Sequence, residues 1–189
     1  GNKLMAINYA DYISRVDKKI RAEERTAGPN NKAGIQKINK WHEGKNKMES
    51  IVRQLSQLDR ELAGRIADEK ELGKDVAAIE KKIIQVTAAL KKTKTGCANI
   101  KKNATKLESQ AKTLAQQKNA AARLKTMKGA WSVGQEEIRH NEKVLANARD
   151  KKKVLVSQHA ASVRQLNALS NQKQKLINSF KKTWDGLPK

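Results

Sequence analysis

Residues 48–62 read MESIVRQLSQLDREL, with apolar side chains at Met48, Ile51, Leu55, Leu58 and Leu62. The spacings alternate between three and four, which is the signature of a seven-residue coiled-coil repeat. Followed outward, the repeat holds one phase over residues 41–114. One seam position runs Trp41, Met48, Leu55, Leu62, Glu69, Val76, Ile83, Leu90, Cys97, Ala104, Ala111. The other runs Gly44, Ile51, Leu58, Arg65, Leu72, Ile79, Val86, Thr93, Ile100, Leu107, Leu114. Such a stripe drifts around a straight helix, so the helix must supercoil left-handedly to keep it covered. The expected fold is all-α: an elongated antiparallel coiled coil, with one very long central helix and a shorter helix folded back at each end.

Three segments follow from the breaks. Residues 1–34 should hold an N-terminal helix over residues 8–26, capped by Asn8 and ended by Gly28-Pro29-Asn30-Asn31. Residues 35–127 should form the long helix. Thr95-Gly96 is a possible turn within it, but Thr93, Cys97 and Ile100 stay in phase across it, which favours continuity. Lys128-Gly129-Ala130-Trp131 is read as the second break. Ser132 and Gln135 then stand in capping-box spacing. A third helix follows within residues 128–189, with Ile138, Leu145, Ala148, Leu155, Leu166, Leu169, Leu176 and Phe180 on one face, widened by Val144, Val156, Val163 and Ile177. It should end at Trp184-Asp185-Gly186-Leu187-Pro188. Short connections imply antiparallel neighbours. Two short outer helices would leave residues 63–74 least covered. There Arg65 and Glu69 occupy seam positions, either pairing along the helix or setting register as a polar break in the coil, and they are also candidates for contacting protein. Trp131, in an exposed turn, is a second protein-contact candidate.

The formal net charge is +22, and it is unevenly distributed. Residues 45–87 hold nine Lys/Arg against eight Asp/Glu, whereas residues 88–128 hold eleven against one. Residues 136–183 hold eleven against four, which would place most of the excess in a distal hairpin. Coiled coils ordinarily balance lysine with glutamate beside the seam. Unbalanced like charge costs stability unless an anion offsets it. Lys91, Lys92, Lys94, Lys101, Lys102, Lys106 and Lys112, with Lys151, Lys152 and Lys153, are therefore the candidate polyanion-binding residues. Lysine outnumbers arginine here, which suits point-charge attraction more than base reading. With aromatics at 3%, base stacking on single strands is unpromising.

Motifs for catalysis are missing. His42, His140 and His159 lack metal-ligand spacing, and there is no phosphate-binding glycine loop. No cofactor, metal or small-molecule substrate is expected. Cys97 falls on the seam as a small buried residue. No apolar run is long enough for a membrane span, and no secretory signal opens the sequence. Gly1 would suit myristoylation after loss of a methionine, but Met5 stands where the motif wants Ser or Thr. The composite expectation is a non-enzymatic structural or assembly protein, a rod, stalk or virion-type component. It would lie inside the cell or in a larger assembly, with other subunits or self-association and a polyanion as partners. The alternatives are a peripheral module on anionic lipid and a sequence-independent nucleic-acid packaging protein.

Overall fold

The computed structural model describes residues 7–28 and 30–189. Among them are three helices and no strand: α1 (Tyr9–Thr26), α2 (Lys32–Gln110) and α3 (Leu114–Asp185). Gly1, Met5 and Pro29, on which the myristoylation and first-break readings partly rest, lie outside the described residues.

Each helix starts where a short polar side chain reaches a backbone N–H. Asn8 Oδ1 accepts from the Asp11 amide at 3.1 Å, which fixes the start of α1 as expected. Asn31 Oδ1 accepts from the Gly34 amide at 3.1 Å, so α2 begins at Lys32 and not near residue 35. The larger correction is at the other end of α2. The helix stops at Gln110, not at residue 127, and residues 111–113 form the turn. Thr113 Oγ1 accepts from the Gln116 amide at 3.2 Å, while Gln116 Oε1 accepts from the Thr113 amide at 3.1 Å. This reciprocal capping box satisfies amide donors at the start of α3. The expected box at Ser132 and Gln135 lies inside α3. Thus α3, at 72 residues, is nearly as long as the 79 residues of α2, and it is not a short folded-back piece.

Lys128-Gly129-Ala130-Trp131 is helical. A glycine inside a helix costs about 1 kcal/mol and does not by itself break it. Gly96 is helical too, and Thr95 Oγ1 beside it donates to the Lys91 carbonyl at 2.9 Å.

The heptad register is visible in burial. From Trp41 to Leu107 every seam position on α2 is buried or half-buried, and each fully buried residue in that span is a seam residue. The assignment fails only past the turn, where Leu114 is 74% exposed. On α3 the same alternation of three and four runs through Ala120, Leu124, Met127, Trp131, Gly134, Ile138, Leu145, Ala148, Leu155, Ser162, Leu166, Leu169, Leu176 and Phe180. The expected face of α3 is on this stripe. Val144, Val163 and Ile177 flank it half-buried, whereas Val156 is exposed and does not widen the face.

The chain divides into two compact units, one holding the residues up to Glu69 together with Ser162–Lys189, the other Lys70–Ala161. In the first unit all three helices share one core. Val16 and Ile20 of α1 meet Trp41, Met48, Ile51 and Leu55 of α2 and Phe180 of α3. Tyr9 and Tyr12 stand edge-on to Phe180, with ring centroids 4.8 and 6.0 Å away, and Tyr12 does the same to Trp184 at 4.9 Å. Trp41 Nε1 donates to the Pro188 carbonyl at 3.0 Å, which ties the start of the seam to the last residues of the chain. Further along, Lys173 pairs with Asp59 at 2.6 Å and Arg65 donates to Gln165 at 2.8 Å. Residues 63–74 are therefore met by α3 and not left bare by a short helix. They are thinly packed, however, for no α2 residue between Leu58 and Ile79 is fully buried.

In the second unit only α2 and α3 are present. Leu90, Cys97, Ile138 and Leu145 form its core, flanked by Ile83 and Val86. Glu80 pairs with Lys152 at 3.5 Å and Lys94 with Glu142 at 3.2 Å. In each unit the α3 partner number falls as the α2 number rises.

Two tests follow from this packing. Leu90→Ala should cost about 2–5 kcal/mol in denaturant unfolding, and Lys92→Ala no more than about 0.5 kcal/mol. Equal losses would mean the seam is misplaced. Across α1 and α2, Lys45 Nζ lies 2.6 Å from Asp17, whose hydrogen bond raises the Lys45 pKa. A raised folded-state lysine pKa gives stability that is complete below the ordinary lysine range and lost as pH climbs through the higher value. Asp17→Asn should reduce this alkaline loss and lower the Lys45 pKa toward the ordinary range by NMR titration, with Glu49 still 3.8 Å from Nζ.

Candidate basic interface and groove

The ten candidate lysines do not form one site. Lys91, Lys92, Lys101, Lys102, Lys106 and Lys112 are exposed along the last turns of α2 and at the turn. Lys94, also exposed, pairs with Glu142 on α3. Lys118, Arg123, Lys125 and Lys128 extend the basic surface onto the first turns of α3, so both arms next to the turn are basic. Glu108 is the one acid within residues 88–128. Lys151–Lys153 stand apart, beside the α2 residues near Glu80. Lys152 pairs with Glu80 and is half-buried, while Lys151 lines a cleft of about 310 Å³ with Lys82 and Asp75.

The position of the turn also redistributes the charge. Residues 162–183 pack in the first unit, so their basic residues do not belong to the arm that carries the turn. The second unit holds 21 Lys/Arg against eight Asp/Glu, and the first holds 20 against 11. The concentration survives in residues 88–128, not in everything beyond residue 87.

Trp131 is not in a turn. It sits on the α3 seam, 38% exposed, and its carbonyl lies 3.9 Å from Cys97 Sγ. Together with Ile100, Ala104, Ala121, Leu124 and Met127 it floors a groove of about 530 Å³ between α2 and α3, rimmed by Lys101, Lys125, Lys128 and Glu108. The sequence reading missed this groove because it placed the break at residues 128–131. Leu124, Trp131 and Ile138 stand seven apart, and that phase runs straight through the supposed break. Of the other contact candidates, Arg65 is engaged with Gln165 and Glu69 lies half-buried.

In the first unit a second cleft, of about 700 Å³, brings Lys40, Lys47, Lys175 and Lys182 around Gly44 and Leu187, with Glu43 on its edge. These lysines come from the two ends of the chain and were not grouped by sequence. Among the described residues, no cluster of His, Cys, Asp and Glu suits a metal ion, and no helix is long and apolar enough to cross a membrane. No buried side-chain nitrogen or oxygen among them lacks a partner.

Compared with known proteins, the chain matches no family model, no curated protein and no solved structure.

Just beyond the groove, Gly134 of α3 packs against Cys97 of α2. A methyl group added at Gly134 would collide with Cys97 Sγ. Gly134→Ala should therefore destabilise the protein by about 1–3 kcal/mol, as overpacking does. Cys97→Ala in the same chain should recover part of that loss in a double-mutant cycle. Simple additivity would show that the two residues are not in contact.

Proposed function

We propose that the protein is a non-enzymatic structural or assembly protein, an elongated antiparallel coiled coil whose basic arm engages a polyanion. The observation that carries this reading is the eleven-to-one excess of basic over acidic residues in residues 88–128, on side chains that are mostly exposed and unpaired. Solvating a coiled coil does not require such an excess, since residues 45–87 of the same seam manage with near balance. Facing basic helices repel, and an anion between or upon them relieves that repulsion. The opposed numbering of the α2 and α3 contacts supports the antiparallel arrangement. The unbroken heptad phase on α2 supports an extended form.

Two measurements test this. Small-angle scattering should give a radius of gyration well above the value of roughly 16 Å expected for a compact chain of this length. Lys101→Glu, Lys102→Glu and Lys106→Glu together should weaken binding to duplex DNA and to vesicles containing phosphatidylserine, and should flatten the salt dependence. Arg53→Glu, Arg60→Glu and Lys74→Glu together should do much less. Equal binding by both triple variants and the parent would remove the polyanion from the proposal.

A further inference from the structure

We infer that the groove between α2 and α3 next to the turn docks an acidic amphipathic helix of a partner protein. This rests on the reading of residues 88–128 as an anion-binding arm, and it adds the chemistry of the occupant.

The floor of the groove is apolar: Ile100, Ala104, Leu124, Met127 and Trp131. A phosphate backbone has no use for such a floor, because its attraction to lysine is electrostatic and independent of apolar contact. The rim is basic, with Lys101, Lys125 and Lys128 against the single Glu108. An occupant matched to both needs apolar side chains on one face and carboxylates beside them. On α2 the groove runs from Ile100 to Glu108, a rise of about 12 Å, which suits two to three turns of helix. Apolar anchors at i, i+3 or i+4, and i+7 are the usual way a helix fills such a groove.

The first unit shows what completes an α2–α3 pair in this chain. There α1 lays Val16 and Ile20 against Trp41, Met48 and Phe180, and Asp17 reaches Lys45 of α2. With that third helix present, these five apolar residues are at most 4% exposed. The second unit has no third helix, and Trp131 remains 38% exposed in its groove. Trp131 is also the one aromatic residue of the chain outside the core assembled around Phe180. A half-exposed tryptophan within an apolar cleft is the side chain most suited to anchor a partner.

Two other occupants fit less well. A second copy of this chain would offer α1, the one short helix among the described residues, but α1 carries five basic residues against four acidic ones and is already packed in its own core. A membrane surface is met by apolar residues that project from a helix face. Here they line a concavity.

The test uses the 189-residue chain and a fluorescein-labelled 21-residue synthetic helix, with leucine at the heptad seam positions and glutamate elsewhere. A permuted peptide of identical composition and a leucine/lysine version serve as comparisons. By anisotropy, the leucine/glutamate helix should bind at least about tenfold more tightly than either, a difference of about 1.4 kcal/mol. Trp131→Gln and Met127→Gln should each reduce that binding by about tenfold and leave duplex DNA binding unchanged. Lys125→Glu with Lys128→Glu should weaken both ligands. Trp131 and both lysines lie at the surface, so their variants decide the matter if Met127→Gln fails to fold by circular dichroism. Equal binding of the permuted peptide overturns the inference, as does equal binding of the lysine version. It is also overturned if Trp131→Gln abolishes self-association in sedimentation equilibrium, or vesicle binding in the absence of peptide binding. If DNA or anionic vesicles bind and the helix does not, the groove assignment fails while the basic arm stands. If nothing anionic binds, both fail.

Discussion

A 79-residue helix cannot hide its own apolar stripe from water, and everything else in this structure follows from how that stripe is covered. Burial of an aliphatic side chain is worth roughly 1.5–3 kcal/mol, whereas the intrinsic preference of a residue for helix is worth tenths. The seam therefore overrides local signals. Thr95-Gly96 and Lys128-Gly129 both look like breaks when read as dipeptides. Both remain helical because the apolar phase continues on either side and the opposing helix supplies cover. Where α2 does stop, after Gln110, the chain turns without glycine or proline, using only Thr113 and Gln116 to settle the exposed amides.

This explains what was legible in the sequence. The seam of α2, the cap at Asn8 and the apolar face of α3 could be read directly, since each depends on residues close together in the chain. The position of the turn was misread because two capping boxes compete, at Thr113 with Gln116 and at Ser132 with Gln135, and a glycine beside the second gave it undue weight. Phase would have decided between them: Leu124, Trp131 and Ile138 cross the second box at intervals of seven. The groove was hidden by the same error. The lysine cleft around Gly44 was hidden for a different reason, for it joins residues near position 40 to residues near position 182, and no local pattern announces such a pairing.

Charge and packing are arranged in opposite senses. In the first unit, three helices, five of the six aromatic residues and ion pairs such as Asp17 with Lys45 and Asp59 with Lys173 hold the core closed. In the second unit, two helices share a thinner core while carrying the larger basic excess. Low local stability and unbalanced charge are the usual properties of surfaces that gain order from a partner.

The turn at residues 111–113 has a kinetic meaning as well. Cys97 meets Trp131 across 34 positions, and Trp41 meets Pro188 across 147. Contacts of this kind form nested loops, the innermost at the turn and the outermost between the two ends of the chain. Closing the outer loop in a single step would cost far more entropy than extending an inner pair by one heptad. The part of the chain with the largest basic excess is thus the part where pairing can begin at the smallest entropic cost. Ionic strength, by screening its lysines, would set the rate at which the remainder zips shut.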